Sequence, residues 1–118
     1  MMKVEDLRRE RCVACRKDAV PLLGEALDEM LLMVPDWQLR VVNDVPRLER
    51  RFPVRDWSAA IRLTNQISDL ALAEDHHPVI TTEWRAVTVA WWTHIIRDLH
   101  RNDVLMAART DALVDDSV

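Results

Sequence analysis

Three histidines carry most of the chemistry in this sequence. His76 and His77 are consecutive and run straight into Pro78, and His94 closes a later apolar stretch. Imidazole alone titrates near neutral pH without help, so it can both give and take a proton. Three imidazoles around one point suit either a metal or proton traffic. Neighbouring side chains such as His76 and His77 diverge unless the backbone bends, and the chain lacks the H-E-x-x-H spacing that sets two ligands on one helix face. Adjacent histidines after a helix also have a plain use, capping its carbonyls and complementing its dipole. Cys12 and Cys15 form a single C-x-x-C with no second Cys/His pair nearby in sequence. They read as two reduced thiols near a mobile terminus, the alternatives being a metal shared between subunits or a redox pair.

The elements that must position these groups follow from periodicity. Leu23, Ala26, Leu27, Met30 and Leu31 share one helical face after Pro21, and Pro35 stops the pattern. Trp37, Leu39 and Val41 alternate with Gln38 and Arg40 as a half-buried strand, and Asn43, Asp44 and Pro46 make a turn. Leu48, Phe52 and Val54 line one face of a second strand, with Glu49 and Arg51 on the other. Strict alternation places Arg50 on the apolar face, so it snorkels or a bulge intervenes. Asp56 caps a long helix that runs to about Ala73 with Trp57, Ala60, Ile61, Thr64, Ile67 and Ala71 on its inner face. The residue before Pro78 avoids helical angles, so the helix ends ahead of it. Val79–Trp84 and Ala86–Thr93 then pair as a hairpin turning near Arg85, which brings His94 level with His76 and His77. A last helix spans about Asn102–Leu113.

The order α-β-β-α-β-β-α implies an α+β two-layer sandwich, a four-stranded antiparallel sheet with helices on one face. The expected core includes Trp37, Phe52, Ile61, Ile67, Val87 and Val89, with Trp84 and Trp91 also packed inside.

Composition narrows the function. The 118 residues suit one domain, and 49% apolar with 31% charged residues is globular composition. A net charge of −4 argues against duplex binding, and a solvated strand face accounts for Arg47, Arg50, Arg51 and Arg55. The single glycine, Gly24, excludes a Gly-rich phosphate loop. The charged N-terminus is no secretory signal, and the apolar run Met30–Val34 is too short to span a bilayer. The cytoplasm is the expected compartment, with no membrane partner.

The set His76-His77-Pro78, Trp84, Thr93-His94 and Asp103 resembles the signature of the pterin-4a-carbinolamine dehydratases. The resemblance runs from the helix around Leu23 through Trp37, the Leu48–Phe52 strand and Asp56-Trp57 to the final helix. Residues 1–18 then form an extension holding the C-x-x-C, which bacterial members often carry, and 19–118 the domain. The resemblance implies dehydration of a 4a-hydroxytetrahydropterin to the quinonoid dihydropterin, supporting tetrahydrobiopterin recycling, with no cofactor and no metal. It implies His76, His77 and His94 as the catalytic groups lining one solvent-accessible cleft. Asp75, Pro78, Trp84, Thr93 and Asp103 match positions that bind substrate or orient the histidines. It also implies a homodimer or homotetramer, the dimer continuing one sheet into eight strands and the tetramer using the last helices or other surfaces.

The departures are local. Members usually carry an acidic residue four before the first histidine, where this chain has Leu72, with Glu74 or Asp75 as substitutes. A glycine-containing loop after the last histidine is replaced by Ile95-Ile96-Arg97-Asp98, and the usual Thr/Ser cap by His100, a poor one, with Asp98 as the alternative cap. An Arg seen in some relatives just before the Asp is Asn102. A second function follows from these changes: a non-catalytic scaffold of the same fold that binds a protein, as transcription cofactors and RuBisCO assembly factors of this fold do.

Overall fold

The computed structural model describes residues 3–13 and 17–117, with residues 115–117 as helix backbone. Its elements are α1 (Val4–Arg9), α2 (Gly24–Leu31), β1 (Gln38–Val42), β2 (Val45–Pro53), α3 (Trp57–Glu74), β3 (Val79–Glu83), β4 (Ala86–Trp91) and α4 (Arg101–Ser117). The strands form one antiparallel sheet in the order β1-β2-β4-β3. Two hairpins therefore meet along β2 and β4, with α3 as the connection between them.

Each hairpin turn has two residues. Asn43 and Asp44 both adopt positive φ, 52° and 64°, between the paired Val42 and Val45. That is the primed turn whose twist matches the strands, and Asn and Asp tolerate it best after glycine. Trp84 and Arg85 make the second turn, between Glu83 and Ala86.

The face of the sheet under α3 and α4 carries Leu48 and Phe52 from β2 and Val87, Val89 and Trp91 from β4, all buried. The opposite face carries Glu49, Arg51 and Thr88. Arg50 lies on the inner face without a bulge, since pairing runs unbroken from Leu48–Trp91 to Pro53–Ala86. Its Nη1 donates to Asp111 Oδ1 at 2.7 Å, beside the Trp37 indole N–H at 2.8 Å, and its guanidinium lies 4.4 Å from the Phe52 ring centre. Burial pushes the Asp111 carboxyl up, opposed by the Trp37 hydrogen bond and by the charge and hydrogen bond of Arg50. The other cations are engaged apart: Arg47 lies over Trp92, Arg51 is 4.0 Å from Glu83, and Arg55 is 3.6 Å from Asp56.

Several expectations need correcting. Trp57 and Ile61 are exposed, because α3 turns Ala60, Leu63, Ile67, Leu70 and Ala71 inward instead. Trp84 is 72% exposed, since its strand ends before it and the side chain stands on the hairpin tip. Leu39 and Val41 are exposed on the edge strand β1, beyond the reach of the helices. Up to Val13 the N-terminal segment is packed: α1 lies on α4, with Leu7 fully buried and Val4 partly buried against the core. Among the described residues, no helix is long and apolar enough to cross a membrane.

Candidate active site

The end of α3 sets the position of His76. Asp75 takes a left-handed conformation (φ 49°, ψ 45°), its N–H bonding to Leu72 O, and the His76 N–H reaches back to Ala71 O at 3.1 Å. This pair of bonds is a Schellman closure, which satisfies the last carbonyls and reverses the chain within two residues. The reversal drives the His76 ring inward, 4% exposed, parallel to Trp91 with centroids 5.7 Å apart. His77, the next residue, points to solvent.

Asp103, in the first turn of α4, meets that ring. Its Oδ1 lies 2.6 Å from His76 Nε2, while its Oδ2 accepts from Thr93 Oγ1 at 2.9 Å and from the His100 N–H at 2.8 Å. Asp103 and Thr93 are fully buried. A carboxylate in the first helical turn complements the dipole. Accepting from Nε2, it holds the imidazole in the Nε2–H form and fixes the ring plane. The contact has the geometry of the Asp–His pair in a catalytic triad, a carboxylate fixing an imidazole.

His94 stands at the surface. Its Nε2 lies 3.0 Å from the His77 carbonyl oxygen, which can only accept, so this nitrogen carries a proton. Trp92 packs against the His94 ring, centroids 4.3 Å apart and planes tilted by 32°, and the Arg47 guanidinium lies 4.0 Å from the Trp92 ring centre. The loop that follows closes through Thr93 and Asp98, with Arg97 in the left-handed region at φ 52°. That is the place where a glycine would carry no penalty.

The structure therefore brings His76, Thr93 and Asp103 into one buried cluster, with His77 and His94 joined just outside it. Pro78 follows at the start of β3, half-buried. It does not bring Trp84 to them: the five residues of β3 lie between Pro78 and Trp84, roughly 20 Å at strand rise. Asp75 is exposed and contributes its backbone turn. The expectation that all three rings open to solvent is corrected for His76, which Asp103 and Trp91 enclose.

Neither substitute for Leu72 reaches a histidine ring. Leu72 is 69% exposed, and the Glu74 side chain, 2% exposed, faces away to bind the Cys12 N–H, Arg11 and Arg109. Burial raises the Glu74 carboxyl, but the Cys12 and Arg11 hydrogen bonds and the Arg109 and Arg11 charges outweigh it and hold the pKa below 4.5. Cys12 is half-buried, and Cys15 lies outside the described residues. Among the described residues no three His, Cys, Asp or Glu side chains converge as metal ligands.

His100 is a better cap than its type suggests. Its Nδ1 accepts the Asn102 N–H at 3.0 Å, and α4 starts at Arg101 while Asp98 serves the preceding loop. Burial lowers the His100 pKa; the Asp103 charge opposes this, and His76 and Arg101 add to it. The neutral ring is the form that can accept. Sequence reasoning missed this cap and the Trp92–His94 ring contact. Alternation on β4 puts Trp91 and Trp92 on opposite faces but does not say that each meets a histidine.

A family model described as Pterin 4 alpha carbinolamine dehydratase matches residues 20–113. The chain belongs to that family. A relative from Gloeobacter violaceus, named "Putative pterin-4-alpha-carbinolamine dehydratase 1", is 48% identical over 109 residues, covering 92% of this chain and 93% of its own. The crystal structure of a transcriptional coactivator/pterin dehydratase from Brucella melitensis superposes with a TM-score of 0.71 at 26% identity, covering 80% of this chain and 98% of that one. A pterin dehydratase-like protein described as a RuBisCO assembly factor in the alpha-carboxysome shares the fold, with a TM-score of 0.54 at 21% identity over 64% and 88% of the two chains.

Proposed function

We propose that this chain dehydrates a 4a-hydroxytetrahydropterin to the quinonoid dihydropterin by general acid–base catalysis with His76, His77 and His94. The C4a–O bond breaks, a protonated imidazole gives its proton to the departing hydroxyl, and a neutral imidazole takes the N5 proton as the C4a–N5 double bond forms. Each transfer contributes on the order of 10²- to 10⁴-fold. His77 and His94 meet the substrate from the solvent side. His76, its ring fixed by Asp103 and Thr93, forms the floor. Because His94 Nε2 is held on a carbonyl, its Nδ1 is the nitrogen that exchanges protons. The observation that carries the reading is the Asp103 carboxylate 2.6 Å from His76 Nε2, in a family named for this reaction. Asp75 and Pro78 enter the proposal as substrate contacts beside the histidines, and Trp84, exposed on the hairpin tip, enters it as a contact on the family resemblance alone.

A homo-oligomer belongs to the same proposal. Leu39 and Val41 leave apolar surface on the open edge β1, and Trp57, Ile61 and Leu72 do so along the outer face of α3. The last helix is a poor tetramer surface, because residues 102–108 and 110 of α4 are already buried.

A second reading, a non-catalytic protein-binding scaffold, draws on Leu72, on the loop without glycine after His94, and on the fold shared with the assembly factor. Following carbinolamine breakdown spectroscopically with purified protein separates the two. The dehydratase reading requires a rate above the uncatalysed one. A folded protein that never exceeds that rate, and gains activity only as Leu72→Glu, identifies residue 72 as the lesion and favours the scaffold.

A further inference from the structure

His76 and Asp103 sit on elements far apart in sequence, the closing turn of α3 and the first turn of α4. A ring and a carboxylate 2.6 Å apart keep that geometry only if both element ends are fixed to a fraction of an ångström. Residues 3–13, which lie outside the matched 20–113, bridge those same two ends.

The bridge has three parts. Glu74, two residues before His76, accepts the Cys12 N–H at 3.1 Å and Arg11 Nε at 2.7 Å, and its Oε1 also takes Arg109 of α4 at 2.6 Å. Asn102, next to Asp103 and 1% exposed, reads one backbone residue twice: its Oδ1 accepts the Val13 N–H at 3.2 Å and its Nδ2 donates to Val13 O at 2.8 Å. Glu10 forms a two-point ion pair with Arg101, the first residue of α4. Behind these, Leu7 is buried against α4 and Arg8 Nε donates to Ala108 O at 3.3 Å. A buried carboxamide with both ends engaged has only a narrow range of positions, since any shift leaves a polar atom unsatisfied.

We propose that residues 3–13 are a strap that positions the His76–Asp103 pair, acting through Asn102 and Glu74 as positioning residues. The strap deepens the dehydratase reading, on which its kinetic consequence rests. Its geometric consequence stands apart from that reading.

The test uses the full chain with Asn102→Ala, and Glu10→Ala as a milder surface variant. Exchange of the His76 Nε2–H proton is followed by NMR, beside kcat and KM. In Asn102→Ala the ring proton exchanges at least about tenfold faster and kcat falls by a similar factor, while KM changes less than about twofold. Glu10→Ala shifts both in the same direction by about threefold, and it decides the matter if Asn102→Ala does not fold. A lower unfolding midpoint with unchanged ring-proton exchange and unchanged kcat would reduce the strap to a stabiliser and overturn the proposal. Faster ring-proton exchange in a protein without any turnover, wild type included, supports the strap and sinks the dehydratase reading instead.

Discussion

Asp103 collects three donors, from His76, Thr93 and the backbone of His100, and each comes from a different stretch of chain. The residue types announced two of these partners: a histidine pair, a Thr-His and an Asp in order are legible in one dimension. The direction of each side chain was not. Adjacent residues that look equivalent end with His76 enclosed and His77 in water, because a left-handed Asp75 reverses the chain between helix and strand. Of the two acids near residue 72, Glu74 is committed to Cys12, Arg11 and Arg109, and Asp75 is exposed at the helix end. His100 makes a prediction of its own. Its folded-state pKa lies below the unfolded 6.5, so the native state resists protonation. The stability it contributes is therefore present above pH 6.5 and is lost as pH falls through the folded value. Urea unfolding midpoints should decline on acidification below that point, and His100→Asn, a cap that does not titrate, should flatten this part of the curve. Parallel profiles for the two proteins would remove His100 from the account.

At the scale of elements, strands and turns were read more faithfully than helix faces. Alternation in β2 and β4 put Phe52, Val87 and Val89 inside, as found, and Asp56 caps α3 with its Oδ1 2.9 Å from the Ala59 N–H. Trp57 and Ile61 share the helical spacing of the expected inner face of α3, but the helix is rotated so that Leu63 and Leu70 point inward and those two face solvent. Helix α1 was overlooked because its six residues hold little apolar character, and Leu7 becomes a core residue only once α4 supplies the other wall. The loop between β4 and α4 carries a measurable strain. Arg97 at φ 52° occupies a conformation that costs a residue with a side chain roughly 1 kcal/mol relative to glycine. Arg97→Gly should accordingly raise stability by somewhat less than that, the glycine also loosening the unfolded chain. A chemical-denaturation midpoint that falls instead would show that the Arg97 side chain, and not its backbone, matters.

For the whole molecule, periodicity implied the two hairpins and their antiparallel pairing, whereas the meeting of β2 with β4 at the centre of the sheet is a matter of packing around α3 that no local pattern contains. The apolar residues left outside, Leu39 and Val41 on one edge and Trp57, Ile61 and Leu72 on α3, predict self-association. Light scattering at micromolar concentration should report at least two chains, and the mass of one chain would contradict this. The central claim is that the histidine site of this fold performs the dehydration. His77 is exposed, so His77→Ala should leave the unfolding midpoint within the equivalent of about 0.5 kcal/mol, whereas His76→Ala, which empties a buried stack and strips Asp103 of a partner, should cost about 2 kcal/mol. His77→Ala is thus the cleaner probe. The decisive measurement is the carbinolamine dehydration rate of wild type and His77→Ala at equal folded concentration. The account predicts a wild-type rate well above the uncatalysed one and a loss of at least about tenfold in the variant. A wild type no faster than solution, or a variant as fast as wild type, would contradict it.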